Sequence, residues 1–184
     1  MQEFYTVSRR DISSLKELTL YPHDYKPYYT LEKFYESEEV VDLLKDLYPN
    51  GLSSHGLQYL SDRFYWTRDG DGTNYITYTP VLEEMFELVR LWKFNNLPSR
   101  FTSTFGCISL DDAKHFRDEY CRGAGNIYLV SVNDFFKGDM KWFYSPSIVG
   151  NIILAQKYWS GKATDNPFWE YLLSPPVTIL SKIE

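Results

Sequence analysis

The sequence has few of the residues that build metal sites and disulfide frameworks. It contains two cysteines and three histidines among 184 residues. Cys107 and Cys121 have no paired spacing and no histidine cluster beside them, which argues against a zinc site and against a disulfide framework. We therefore expect two reduced thiols and no metal, and we assign no catalytic role to the isolated His23, His55 and His115.

Long apolar runs and a surplus of positive charge are also missing. The chain opens MQEFYTVSRR without an apolar leader, and about eighteen consecutive uncharged apolar residues occur nowhere, so we expect a cytoplasmic protein with no membrane partner. The net charge of −6 argues against a general basic face for duplex nucleic acid, although a local basic groove is compatible with it. The length suits one domain, 1–184.

Aromatic residues, in contrast, are abundant, with sixteen tyrosines, twelve phenylalanines and five tryptophans. Most of them belong in a core, but an excess of tyrosine and tryptophan often lines ligand clefts. A stacking platform for a single-stranded acceptor is predicted from Tyr25, Tyr28, Tyr29, Phe34, Tyr35, Tyr65 and Trp66. RNA or DNA suits such a platform, and a protein acceptor is equally compatible with the sequence.

Periodicity and turn residues predict the order of the elements. The predicted strands are EFYTVS, NIYLVSV and the stretches 170–173 and 176–182. The predicted helices follow Ser37, Thr79 and Ser109 or span 149–158, and 135–144 is predicted to be an aromatic loop. Because helices and strands do not alternate regularly, a doubly wound parallel sheet is disfavoured and the fold class is predicted to be α+β.

Two further segments carry specific expectations. The helix after Thr79 is predicted to bury the stripe Val81, Met85, Leu88, Val89 and Trp92. The turn TRDGDGTNY lacks the ligand run and closing glutamate of a calcium loop, so it is interpreted as a turn.

A polar stretch, LPSRFTSTFGCISLDDAKHF at 97–116, stands where a buried strand would carry valine and isoleucine. In a strand, Phe101, Ser103 and Phe105 would share one face. Ser109 then caps a helix with aspartates in its first turn. This stretch is predicted to hold its polar side chains for binding.

Four segments in order, FYTVS, LPSRFTSTFGCISLDDAKHF, NIYLVSV and AQKYWSG followed by FWEYLLSPPVTIL, resemble the ADP-ribosyltransferase superfamily, in particular its small prokaryotic and phage-associated, toxin-like members. The resemblance spans most of the chain through short, degenerate motifs. It implies a split, mostly antiparallel β-sheet around an NAD cleft, with helices packed on it. The implied activity is transfer of ADP-ribose from NAD to a nucleic acid or protein, as a toxin or in conflict between phage and host, with an antitoxin or inhibitor protein as a further partner.

The resemblance also assigns site residues. Glu170 takes the place of the late catalytic glutamate and Ser103 that of the middle serine. Where rifampin-modifying relatives resemble FYHG, this chain has Thr6 at the histidine position. The remaining residues expected to bind NAD are Tyr5, Arg9, Arg100 and Thr102, with Arg10 as an alternate.

The chemistry of the reaction explains these residue types. Breaking the bond from nicotinamide to ribose builds positive charge on the sugar, which a carboxylate stabilises. The planar fork of an arginine donates to two pyrophosphate oxygens at once. Each residue also has a structural interpretation: Glu170 as a solvated turn residue, Ser103 as a local hydrogen-bond donor, Arg100 as an ion-pair partner. A binding module without turnover and a protein-interaction protein with an aromatic surface therefore stay as alternatives to the enzyme.

Overall fold

The computed structural model describes residues 1–23, 38–61, 66–68, 74–76, 79–144 and 147–184. The strands are β1 (Gln2–Ser8), β2 (Glu17–Leu18), β3 (Trp66–Arg68), β4 (Asn74–Ile76), β5 (Thr104–Gly106), β6 (Asn126–Val132), β7 (Phe135–Asp139), β8 (Trp169–Leu173) and β9 (Val177–Lys182). The helices are α1 (Glu38–Leu47), α2 (Ser54–Ser61), α3 (Thr79–Lys93), α4 (Leu110–Tyr120) and α5 (Ile148–Trp159), with 3₁₀ turns at Arg100–Thr102 and Met140–Trp142. Among the helices in these ranges, none is long and apolar enough to cross a membrane.

Two antiparallel sheets form the centre of the fold. The first has the strand order β1-β6-β9-β2 and the second β5-β8-β7, while β3 and β4 form a separate pair. Every strand pair is antiparallel. The predicted α+β class is therefore confirmed, and the antiparallel pairing agrees with the predicted sheet.

Backbone hydrogen bonds join the two sheets where β1 meets the residue after β5. Tyr5 and Cys107 exchange two backbone hydrogen bonds of 2.8 Å, and the Thr6 hydroxyl donates to the Phe105 carbonyl at 2.7 Å. One core, which includes Phe4, lies between the sheets. A second core packs the other face of β8 against α3 and α5. The site described below lies where these layers meet.

The helices after Thr79 and Ser109 and the strand β6 form where the sequence predicts them. Two other segments have a secondary structure that differs from the prediction. The segment 135–144, predicted to be a loop, contains β7 and a 3₁₀ turn. The segment predicted to be one strand through Phe101 and Phe105 is a 3₁₀ turn followed by the three-residue β5. Phe101 consequently packs with α1 and α2, whereas Phe105 packs against the core of α3 and α5. The expectation of one shared face was wrong because the turn rotates the chain between them.

The buried face of α3 also differs from the predicted stripe. Leu88 and Trp92 are exposed, with Trp92 66% accessible. The buried apolar residues are Leu82, Phe86 and Val89. The same face buries Glu83, Glu87 and Arg90. The hydrophobic pattern alone predicts that these charged residues are exposed. They are buried instead, because each forms an ion pair inside the protein.

Several predictions lie outside the described residues. They concern the aromatic platform at 25–35, Tyr65, the side chain of Trp66, the cap Ser37 and the turn around 69–73.

Candidate functional site

A small pocket opens where β1, β5 and the start of β8 meet α4. Its lining residues are Tyr5, Val7, Phe105, Gly106, Cys107, Phe116, Phe168, Trp169 and Glu170. The space of about 330 Å³ at this pocket includes open solvent at its mouth, so the enclosed part is much smaller than a ligand cleft. Its walls are mainly aromatic, so it suits one flat ring rather than a whole dinucleotide.

The Cys107 thiol lines this pocket but is not a nucleophile. Cys107 is 5% exposed. Burial, with a smaller contribution from nearby carboxylates, raises the pKa of Cys107 to about 12. Because the thiolate is the reactive form, the neutral thiol contributes packing.

Behind the pocket lies a buried set of polar side chains that we name the Arg100 cluster: Glu83, Arg100, Tyr158 and Glu170. The guanidinium donates from Nε to Glu83 Oε2 at 2.7 Å and from Nη2 to Glu83 Oε1 at 3.1 Å. Its Nη1 donates to Tyr158 Oη at 2.9 Å and to Glu170 Oε1. The Tyr158 hydroxyl donates to the same Glu170 oxygen at 2.8 Å. All four residues are at most 4% exposed, so the cluster is held away from water.

Electrostatics fix the protonation of the cluster. Burial opposes the ionisation of Glu83, but the charge of Arg100 and the nearby His55 outweigh it and lower the pKa of Glu83 to about 2. Burial likewise opposes the charge of Arg100, yet Glu170 and Glu83 raise its pKa well above the ordinary range. Burial, followed by Glu170, raises the pKa of Tyr158, which keeps its proton. The Arg100 guanidinium thus contacts two carboxyl groups, and His55 lies beside one of them.

The backbone of β7 creates the space for Tyr158. A Cβ added at Gly138 would lie 2.4 Å from a Tyr158 ring carbon and 2.9 Å from its hydroxyl oxygen. Gly138 is also the register partner of Glu170 on β8. The glycine therefore lets the phenol lie flat against the sheet, where it reaches the carboxylate of the neighbouring strand.

The structure places the predicted site residues in three groups. Tyr5 and Glu170 line the pocket. Arg100 is not aimed at a pyrophosphate, because its donors are used by the two buried glutamates and Tyr158. These contacts agree with the ion-pair interpretation, and a role of Arg100 in binding NAD stays a prediction. Arg9 is exposed just after β1.

The hydroxyl groups of the remaining predicted residues donate hydrogen bonds to backbone carbonyls. Thr6 is 4% exposed and donates to Phe105, as described above. Ser103 is 1% exposed and donates to the Ser99 carbonyl at 2.7 Å. Thr102 donates to the same carbonyl at 3.3 Å. Each hydroxyl therefore stabilises a turn or a strand contact, and a role of these residues in binding NAD stays a prediction.

Three functional candidates escaped the sequence analysis. The sequence analysis gave Glu83 and Tyr158 no role in the site. His55 was judged isolated, but its Nε2 lies 3.1 Å from Glu83 Oε1. The only local signal was the spacing of Glu83, Glu87 and Arg90, which repeats at helical intervals on one face.

The chain matches a protein family over residues 25–184. The family is described as Protein of unknown function (DUF2441). This chain belongs to that family. No curated protein matches the chain at a significant level.

Some residues of the site lie inside the DUF2441 match and others precede it. All four members of the Arg100 cluster and His55 lie within the matched residues 25–184. Tyr5, Thr6 and Arg9 precede that range. The buried charges thus belong to the matched family region, whereas β1 supplies one wall of the pocket from outside it.

Proposed function

We propose that this DUF2441 protein is an ADP-ribosyltransferase that transfers ADP-ribose from NAD to a macromolecular acceptor, a nucleic acid or a protein. One observation carries the proposal: Glu170, whose carboxyl group is held in place by Arg100 and Tyr158, lies at a small aromatic pocket. A carboxylate held beside a reacting centre stabilises positive charge that develops there, and NAD presents a pyridinium ring and then a sugar cation at the same bond.

Glu170 is the proposed catalytic carboxylate. Its Oε1 accepts from Arg100 and Tyr158, which fixes the side-chain rotamer. Among the described residues, no group donates to its Oε2. We assign Oε2 to the developing charge on the ribose as the bond to nicotinamide breaks and its electron pair leaves with the base. The aromatic walls of the pocket stack the departing ring.

The pyrophosphate needs a different arginine from the one first expected. Since Arg100 is committed to the cluster, Arg9 is the proposed partner. It is exposed beyond β1, and its charge acts on the Tyr59 hydroxyl near the cluster. The setting we propose is cytoplasmic, in conflict between phage and host, with an antitoxin or inhibitor protein as a further partner.

A second candidate is a module that binds NAD or ADP-ribose without turnover. The observation that favours it is Thr6, whose short hydroxyl is already donated to Phe105. With that hydroxyl used, β1 offers no side-chain donor at the position of the superfamily histidine. Binding would then depend on the pocket and on Arg9.

The experiment incubates the protein with labelled NAD and separate pools of RNA, DNA and protein, and measures label in each pool and release of nicotinamide. We expect label in one pool. Glu170→Gln should lower the transfer rate by on the order of a hundredfold while NAD affinity by calorimetry is retained. The matched control is Glu119→Gln, an exposed position on α4, which should react like the wild type.

The same measurements separate the alternatives. NAD binding with no nicotinamide release would favour the binding module. Lack of any NAD binding by calorimetry would favour a protein-interaction role. Full activity of Glu170→Gln would refute the assignment of the carboxylate.

A further inference from the structure

Helix α1 is acidic and leaves large apolar side chains in solvent. None of its ten residues is buried. Leu43 and Leu47, one turn apart on the same side, are 57% and 41% exposed. Glu39 and Asp46, seven positions apart, line the helix beside these leucines, and its one lysine, Lys45, pairs with a carboxylate of α1 itself. Such a helix suits a partner surface that is apolar and positively charged.

A second exposed apolar surface lies across α3 and α5. We name it the α3/α5 face, and it consists of Trp92, Lys93, Val149, Ile153 and Lys157. Val149 and Ile153, one turn apart on α5, are 68% and 51% exposed. Gln156 follows on the same side of α5 and accepts a hydrogen bond of 3.1 Å from Lys93 Nζ. This contact joins the two helices, so their exposed side chains form one surface.

The charge at the α3/α5 face is positive. The ammonium of Lys93 lies 4.2 Å from the ring centroid of Trp92, and that of Lys157 lies 4.4 Å from the ring centroid of Trp142. No acidic residue occurs in α5. Two of the three glutamates of α3 are buried, and the exposed one, Glu84, lies more than two turns before Lys93. The lysines therefore give the apolar surface a basic edge.

The two surfaces are complementary, and one chain carries both. Leucines beside carboxylates on α1 match valine, isoleucine and tryptophan beside lysines on the α3/α5 face. Within its own molecule, α1 is held by Leu44 and Tyr48, which pack with Phe101. The Tyr48 hydroxyl also donates to Glu87 at 3.3 Å. With its inner side fixed in this way, α1 presents Leu43 and Leu47 outward.

We propose that α1 of one copy of this chain binds the α3/α5 face of a second copy. The proposal does not depend on the transfer reaction. Because the two surfaces differ, the contact is heterologous: two copies that exchange their α1 helices form it twice, and copies that bind in one direction form a longer assembly. Apolar contact supplies the affinity, and the charges select the partner.

Sedimentation velocity of the full chain over a range of concentrations tests the association. Wild type should sediment as a dimer or a larger assembly. Ile153→Glu and Leu43→Glu each place a charge in the apolar contact and should raise the dissociation constant by on the order of tenfold or more. The matched control is Leu15→Glu, at a leucine that is 48% exposed outside both surfaces, and it should associate like the wild type.

Two charge-reversed proteins decide which surfaces meet. One carries Glu39→Lys and Asp46→Lys, and the other carries Lys93→Glu and Lys157→Glu. Each alone sets like charges against each other and should be monomeric where wild type associates. In the mixture, each reversed surface meets one of opposite sign, so association should return. A contact between two identical surfaces would instead tolerate the reversal in each protein alone, because the charges on both sides change together.

Each remaining outcome overturns the inference. Wild type that stays monomeric at every concentration would exclude a second copy as the partner. Association that Ile153→Glu and the reversed charges leave unchanged would place the contact on other surfaces. Loss of association in each reversed protein without recovery in the mixture would refute the pairing of α1 with the α3/α5 face. Circular dichroism checks the fold of each variant, and if Leu43→Glu loses helix, Ile153→Glu makes the same test from the other surface.

Discussion

Replacing Arg100 by methionine tests how the buried cluster is held together. Methionine keeps an unbranched chain of similar reach but has no charge and no donor. The substitution removes four hydrogen bonds, two to Glu83 and one each to Tyr158 and Glu170. It also removes the contacts of the guanidinium with the rings of Phe105 and Phe143. It leaves two carboxylates buried with no cation between them.

The size of the effect follows from that geometry. Breaking a buried ion pair by removing one partner costs about 3 to 5 kcal/mol. For a protein of this length, each kcal/mol moves the melting temperature by roughly 2 to 4 °C. We expect Arg100→Met to melt on the order of 6 to 20 °C below the wild type. The deficit should shrink in acid, because protonation discharges the two orphaned carboxylates.

Calorimetric melting of three variants checks this reasoning. Glu83→Gln in the Arg100→Met background should recover part of the loss, because it removes one of the unpaired charges. The control Arg117→Met removes an arginine whose ion pairs with Asp118 and Glu184 are at the surface, and it should shift the melting temperature far less. A melting temperature of Arg100→Met within about 2 °C of the wild type would refute the role assigned to the ion pairs.

Three other substitutions test separate parts of the site. Gly138→Ala forces a methyl group against the Tyr158 ring and should cost on the order of 3 kcal/mol in urea unfolding; the loss should be smaller in a Tyr158→Leu background. The pKa of Glu83 falls from 4.5 to about 2 on folding, so its stabilisation is present above the ordinary pKa and is lost as pH falls toward 2. That loss is on the order of 3 kcal/mol, and Glu83→Gln should flatten this part of the curve of unfolding free energy against pH. Thr6→Ala removes one buried hydrogen bond to Phe105 and should cost about 1 kcal/mol by thermal unfolding, whereas an unchanged stability would show that the bond contributes nothing net.

Elements with strong local signals were predictable. The apolar stretch NIYLVSV predicted a buried strand, which is β6 at its observed bounds. Ser109 was predicted to cap a helix, and its hydroxyl accepts from the Asp112 amide at 3.1 Å. Such signals depend on residues only a few positions apart, so they can be recognised from the sequence alone.

The inward face of α3 was not predictable in the same way. Its apolar and charged residues both repeat at helical spacing, and the usual rule sends the charged stripe to solvent. The rule fails because Glu83 meets Arg100, seventeen positions later, and Glu87 meets Arg90. Burial of a charge becomes tolerable only when its partner is present, and a partner from another element is invisible to periodicity.

The candidate site shows the same division. Glu170 and Arg100 stood out in the sequence as polar groups among aromatic residues, and the structure brings them into direct contact. The roles of Thr6 and Ser103 changed, because a backbone carbonyl lies within reach of each hydroxyl. Whether a hydroxyl faces a ligand or a carbonyl depends on chain segments that meet only after folding.

By itself, the sequence determined the α+β class and the main strands and helices, since periodicity and caps act locally. Tertiary structure alone decided that Glu83, Arg100, Tyr158 and Glu170 form one buried cluster. It also decided that His55 lies against this cluster. The reason is physical: the energy of a buried charge depends on the distance to its counter-charge, and those distances are set by how α2, α3, α5 and β8 pack.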